Sequence, residues 1–121
     1  MSKKILIVEN DELMIEVMTY ILTNSGYEVI SITSGTEVFN NIKINHPDLI
    51  IMEAILPGIN GQEICQLLKL NKATHDLPVI LCSDDDAMDE TLNEKGAPDD
   101  ILHKPYDIKC LIDMVEYRLA A

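Results

Sequence analysis

Unbroken apolar runs and helically spaced apolar positions alternate along this chain. Ile5-Leu6-Ile7-Val8, Leu49-Ile50-Ile51-Met52 and Pro78-Val79-Ile80-Leu81-Cys82 are continuous and apolar, as in parallel strands covered on both faces. Glu28-Val29-Ile30-Ser31-Ile32 and the short Ile101-Leu102-His103 complete a set of five strands. Between them lie helical patterns. Leu13, Met14, Val17, Met18, Ile21 and Leu22 repeat at helical spacing and predict one apolar face, with Asn10 or Asp11 as cap and Asn24-Ser25-Gly26 as terminator. Ser34-Gly35-Thr36-Glu37 reads as a capping box opening a second helix with Val38 and Ile42 inward, and Asn45-His46-Pro47-Asp48 breaks it.

A third helix runs through Ile64, Leu67 and Leu68 after the turn-rich Leu56-Pro57-Gly58-Ile59-Asn60-Gly61. Asp84-Asp85-Asp86 caps a weak fourth helix, Ala87 to Lys95, with few apolar anchors. Asp107 caps a last helix with Ile108, Leu111, Ile112, Val115 and Leu119 on one face. Strictly alternating strands and helices predict an α/β fold, a flavodoxin-like (βα)5 three-layer sandwich with a parallel sheet of order 2-1-3-4-5. No linker, repeat or low-complexity tract divides residues 1–121, so a single domain without an output domain is expected.

Composition narrows the function. Hydrophobic residues make up 47% and aromatics only 4%, so the core must be built from Ile, Leu, Val and Met. Twenty-one acids against nine bases give a net charge of -12, which disfavours nucleic acid and anionic membranes and suits metal ions or a partner with a basic face. Cys65, Cys82 and Cys110 are too few and too scattered for a disulfide framework or a zinc site. Neither a signal peptide nor a bilayer-length apolar run is visible, so a soluble, cytoplasmic protein is expected.

Ligand sites in such sheets form beyond the carboxyl ends of the strands. Those ends carry Glu9, Asn10 and Asp11, then Glu53, then Ser83 and Asp84, then Lys104. Four strand ends thus deliver acidic, hydroxyl and cationic groups to one edge. An acid after a strand is ordinarily a helix cap, a serine a turn residue and a lysine a solvated charge; their joint placement favours a site. Cys82 reads as a core thiol, Met14, Met18 and Met52 as core, and His46, His75 and His103 lack ligand spacing.

With these residues in place, the chain resembles the receiver domain of bacterial response regulators over essentially its whole length. The marks are Ile5-Leu6-Ile7-Val8-Glu9-Asn10-Asp11, Pro47-Asp48-Leu49-Ile50-Ile51-Met52-Glu53, Leu56-Pro57-Gly58-Ile59-Asn60-Gly61, Pro78-Val79-Ile80, Gly96-Ala97 and Lys104-Pro105. The resemblance implies a signalling module, not an enzyme, in a two-component phosphorelay. In that family two acids after the first strand and an acceptor aspartate after the third bind Mg²⁺, while a Ser or Thr and a Lys hold the phosphoryl group. Carried over, Glu9 and Asn10 match the acid pair, Glu53 the acceptor, Ser83 the hydroxyl and Lys104 the lysine. A cis Lys104-Pro105 bond is implied, and Tyr106 is expected to pack. Ile101 stands where the family often has a switching aromatic.

Three positions depart from the pattern. Glu53 places its carboxylate about 1.5 Å farther out than an aspartate, a large shift for in-line phosphoryl transfer. Asn10 lacks the charge that a hard divalent ion wants. Asp84 repels an incoming phosphate where a small residue is usual. Weak or absent Mg²⁺ binding through Glu9, Asn10 and Glu53 is expected. Glu53 is long enough to reach Lys104 and Ser83, which points to an atypical pseudo-receiver acting through protein contacts. The expected partners are a histidine kinase, a phosphotransfer protein or an effector. They would meet the face formed by the fourth helix, fifth strand and last helix of a monomer or weak homodimer. A receiver that still accepts phosphate or binds Mg²⁺ is the alternative. A flavodoxin-like enzyme or nucleotide binder is remote, because Glu9-Asn10-Asp11-Glu12 replaces a phosphate-cradling loop.

Overall fold

A computed structural model describes residues 2–84, 92, 94–105 and 107–120. Five strands form one parallel sheet: β1 (Lys4–Val8), β2 (Glu28–Ile32), β3 (Leu49–Glu53), β4 (Val79–Ser83) and β5 (Asp100–His103), in the order β2-β1-β3-β4-β5. The helices are α1 (Glu12–Asn24), α2 (Val38–Asn45), α3 (Gly61–Leu70) and α4 (Ile108–Leu119). The flavodoxin-like topology read from the strand–helix alternation is therefore the observed one. The expected weak helix between Ala87 and Lys95 falls largely on residues outside those described, as does Tyr106.

Alternation along the central strands sorts the core into two layers. Ile5, Ile7, Leu49, Ile51, Ile80, Cys82 and Leu102 face α1 and α4, where Met18, Leu22, Leu111 and Val115 cover them. Leu6, Val8, Ile50, Met52, Val79 and Leu81 face the other way, onto Val38 of α2 and Ile64, Cys65 and Leu68 of α3. Runs that look uniformly apolar in sequence are thus split between two helical layers, which makes a three-layer sandwich.

The helix faces are narrower than the spacing suggests. Leu13 and Val17 of α1, Leu67 of α3 and Ile108 of α4 are exposed. The sheet takes only a narrow buried stripe from each helix, and Met18 with Leu22, Ile64 with Leu68, and Leu111 with Val115 supply it. Leu13, Val17 and Ile108 instead border an apolar groove between α1 and α4.

The capping box is also revised. Ser34 caps a single 3-10 turn, Gly35–Glu37; its Oγ accepts from the Thr36 N–H at 3.3 Å, and Glu37 gives no side-chain cap to α2. Gly35 opens that turn. It is buried so tightly that a Cβ there would stand 2.4 Å from Ile64 Cδ1. His46 ends α2 in the left-handed conformation, φ 49°. At the far end of the sheet, Lys69 pairs with Asp99 at 2.6 Å and Arg118 with Asp100 at 2.7 Å, tying α3 and α4 to the segment that opens β5.

Candidate functional site

The carboxyl ends of β1, β3, β4 and β5 are held in register by backbone hydrogen bonds. Glu9 N–H donates to Ile32 O at 3.1 Å, Ala54 N–H to Cys82 O at 2.9 Å and Lys104 N–H to Ser83 O at 2.9 Å. The ladder carries on past the strand ends, which fixes the backbone of each functional residue. Gly61 N–H closes the loop after β3 by donating to Ala54 O at 2.8 Å. Within that loop Gly58 takes φ +78°, a value that glycine adopts without steric cost. Asn60 caps α3 by accepting from Glu63 N–H at 3.0 Å.

These ends surround a cleft of about 420 Å³ lined by Glu9, Asn10, Asp11, Glu53, Ile55, Asp84 and Lys104. Glu53 is buried at the end of β3, and its Oε2 forms an ion pair with the Lys104 ammonium group. Glu9 is buried beside them, with Oε1 accepting from the N–H groups of Asn10 and Asp11, each at 3.2 Å. Asp11 serves as the N-cap of α1: its Oδ1 accepts from Leu13 N–H at 3.0 Å and Met14 N–H at 3.4 Å. Asp84 stands exposed at the cleft mouth. Ser83 is buried at the end of β4, paired in register with His103, and is not among the cleft-lining residues. Six of the seven residues singled out from the sequence thus line one cleft, and the seventh, Ser83, is buried at the end of β4.

The electrostatics follow from burial and closeness. Removal from water pushes the Glu9 carboxyl above its ordinary range. The charge of Glu53 and a hydrogen bond with it push the same way, against the Asp11 N–H and the Lys104 charge. Burial lowers Lys104, but the hydrogen bond and charge of Glu53, together with Glu9, outweigh it and raise the ammonium group above the usual lysine value. Lys104 therefore stays a cation, paired with Glu53 and attracted by the charge of Glu9.

The donor set fits a divalent ion poorly. Asn10 brings no charge, the Glu9 carboxylate is turned onto backbone N–H groups, and Glu53 is turned onto Lys104. Among the described residues no three His, Cys, Asp or Glu side chains converge as ligands. The Lys104-Pro105 bond is cis. Sequence reasoning named the loop around Gly61 but missed what Gly61 does: a Cβ there would meet the Glu53 carbonyl oxygen at 2.2 Å. The signal was the glycine itself, standing where α3 starts directly behind the acceptor position.

This fold and cleft agree with comparisons to known proteins. The family model of the response regulator receiver domain matches residues 5–116, and the chain belongs to that family. It is 33% identical over 106 residues to the alkaline phosphatase synthesis transcriptional regulatory protein PhoP of Bacillus subtilis, covering 88% of this chain and 44% of PhoP. It is 32% identical to the polar-differentiation response regulator DivK of Brucella ovis, covering 96% of this chain and 95% of DivK. The chain spans about half the length of PhoP and of the MtrA regulators that it also matches.

Among solved structures, the receiver domain of a signal transduction histidine kinase from Syntrophus aciditrophicus superposes with TM-score 0.89 at 29% identity, over 98% of this chain and 91% of that one. The receiver domain of the Pseudomonas aeruginosa sensor histidine kinase PA1611, with magnesium in its active-site cleft, shares the fold at TM-score 0.87 and 20% identity, with both chains fully covered. Receiver domains are signalling modules that interact with histidine kinases and effectors. Among the described residues no helix is long and apolar enough to cross a membrane.

Proposed function

We propose that this chain is a pseudo-receiver, a receiver domain whose signalling state is set without aspartyl phosphate. One observation carries the reading: the carboxylate at the acceptor position, Glu53, is ion-paired to Lys104. In a phosphorylated receiver that lysine would hold a phosphoryl oxygen. Here the extra methylene of Glu53 carries a carboxylate oxygen to it. An oxygen already held by an ammonium group is a poor nucleophile, since attack on phosphorus must first break the pair. Asp84 at the cleft mouth adds repulsion toward an incoming phosphate.

The chain's own groups thus supply the two charges that phosphotransfer would otherwise bring together. Glu9, buried beside the pair, supports the arrangement by its attraction for Lys104. The output is read by a protein partner (a histidine kinase, phosphotransfer protein or effector), for which we favour the face around β5 and α4. The family relationship and the net charge of -12 support such a partner, one with a basic face.

The decisive experiment for the pseudo-receiver is incubation with acetyl phosphate and MgCl₂ followed by intact mass measurement. No adduct is expected. A stoichiometric phosphate adduct that is lost in Glu53→Ala would overturn the reading.

A further inference from the structure

We infer that the Lys104 ammonium group stands in for a divalent cation in this cleft, so that a free metal ion and the Glu53–Lys104 pair exclude one another. The inference rests on the pair that carries the pseudo-receiver reading and extends it to the site's response to metal. A hard dication such as Mg²⁺ gives up its water reluctantly and needs carboxylate oxygens free to face it. Glu9, Asp11 and Glu53 each already have one carboxylate oxygen committed, which fixes how the group is turned. Glu9 Oε1 accepts two backbone N–H groups, Asp11 Oδ1 accepts two more at the start of α1, and Glu53 Oε2 holds Lys104. Asp84 is exposed at the rim and completes no set of three ligands among the described residues.

Charge points the same way. Ionised Glu9 and Glu53 with Lys104 leave one net negative charge, where an acid at position 10 would leave two. A metal ion entering beside Glu53 would either displace Lys104 or stand against its positive charge at close range. Both outcomes weaken binding, because the ammonium group is itself partly buried and poorly screened.

The test is calorimetric titration with MgCl₂ alone of the wild type, Lys104→Met and Asn10→Asp. The wild type is expected to show no saturable binding at low millimolar metal. Lys104→Met frees Glu53 and is expected to gain affinity by about tenfold or more, the change equivalent to ~1.4 kcal/mol. Asn10→Asp, which adds an acid but keeps the lysine, is expected to gain less. Submillimolar binding by the wild type, or no gain in Lys104→Met, would overturn the inference.

Should Lys104→Met fail to fold, the wild-type Lys104 Nζ resonance followed through the same titration decides. Saturable Mg²⁺ binding that leaves this resonance unmoved means that the ion and the pair coexist, and the idea fails; a resonance unmoved because no metal binds supports it. The two readings fail separately. A phosphate adduct overturns the pseudo-receiver, whereas Mg²⁺ binding without an adduct overturns only the substitution of lysine for metal.

Discussion

A Cβ atom at Gly61 would lie 2.2 Å from the carbonyl oxygen of Glu53, closer than any real contact of that kind. The first residue of α3 therefore rests directly on the end of β3. Gly61→Ala must push α3 away or bend β3 at the acceptor position. A loss of about 1–3 kcal/mol is expected from overpacking, measured by urea denaturation. Unchanged stability would mean that the two elements are not so closely apposed.

Glu9 gives a pH dependence of definite sign. Its folded-state carboxyl lies above the ordinary glutamate value, mainly because it is buried. The folded chain thus holds this proton more tightly than the unfolded chain does. The resulting contribution is fully present below the ordinary glutamate range and is lost as pH rises through the raised value. Glu9→Gln cannot titrate. Across that window the wild type should lose melting temperature relative to the variant, and parallel curves would count against a buried, shifted Glu9.

Asp11 acts here as a helix cap more than as a cleft acid, since Oδ1 accepts from both Leu13 and Met14 N–H. Asp11→Ala is expected to cost ~1 kcal/mol of stability. Asp11→Asn keeps an acceptor oxygen and should recover most of it. Equal losses in the two variants would assign the effect to charge instead.

The cysteines should differ sharply in reactivity. Cys65 is buried on α3 with its thiol facing the Gly96 carbonyl, and burial pushes that thiol up to about 12. Cys82 is buried in β4, and Cys110 is half-buried on α4. A thiol reagent under native conditions should label Cys110 first and leave Cys65 and Cys82 until unfolding, which peptide mass mapping can read.

Much of this was legible before the structure. Parallel strands covered on both faces show as continuous apolar runs, so β1, β3 and β4 stood out, and their order followed from strict alternation with helices. The cleft lining was legible because strand ends are where such sheets gather polar groups, and Glu9, Glu53 and Lys104 sit at or just beyond the ends of strand-forming runs. Less legible was which helical apolar residues are buried. Leu13 and Val17 share a helical stripe with Met18, but spacing alone does not reveal how much of the stripe the sheet covers. The tight seat of Gly35 was equally hidden, because the Ile64 side chain that leaves no room for a Cβ there is distant in sequence.

The central claim is that Glu53 holds Lys104, and titration of the Lys104 ammonium group by nitrogen NMR in the wild type and in Glu53→Gln tests it most directly. In the wild type the group should titrate above the ordinary lysine value, with the hydrogen bond and charge of Glu53 outweighing burial. In Glu53→Gln that charge is gone while burial remains, so the value should fall. Superimposable titrations of the two proteins would contradict the account.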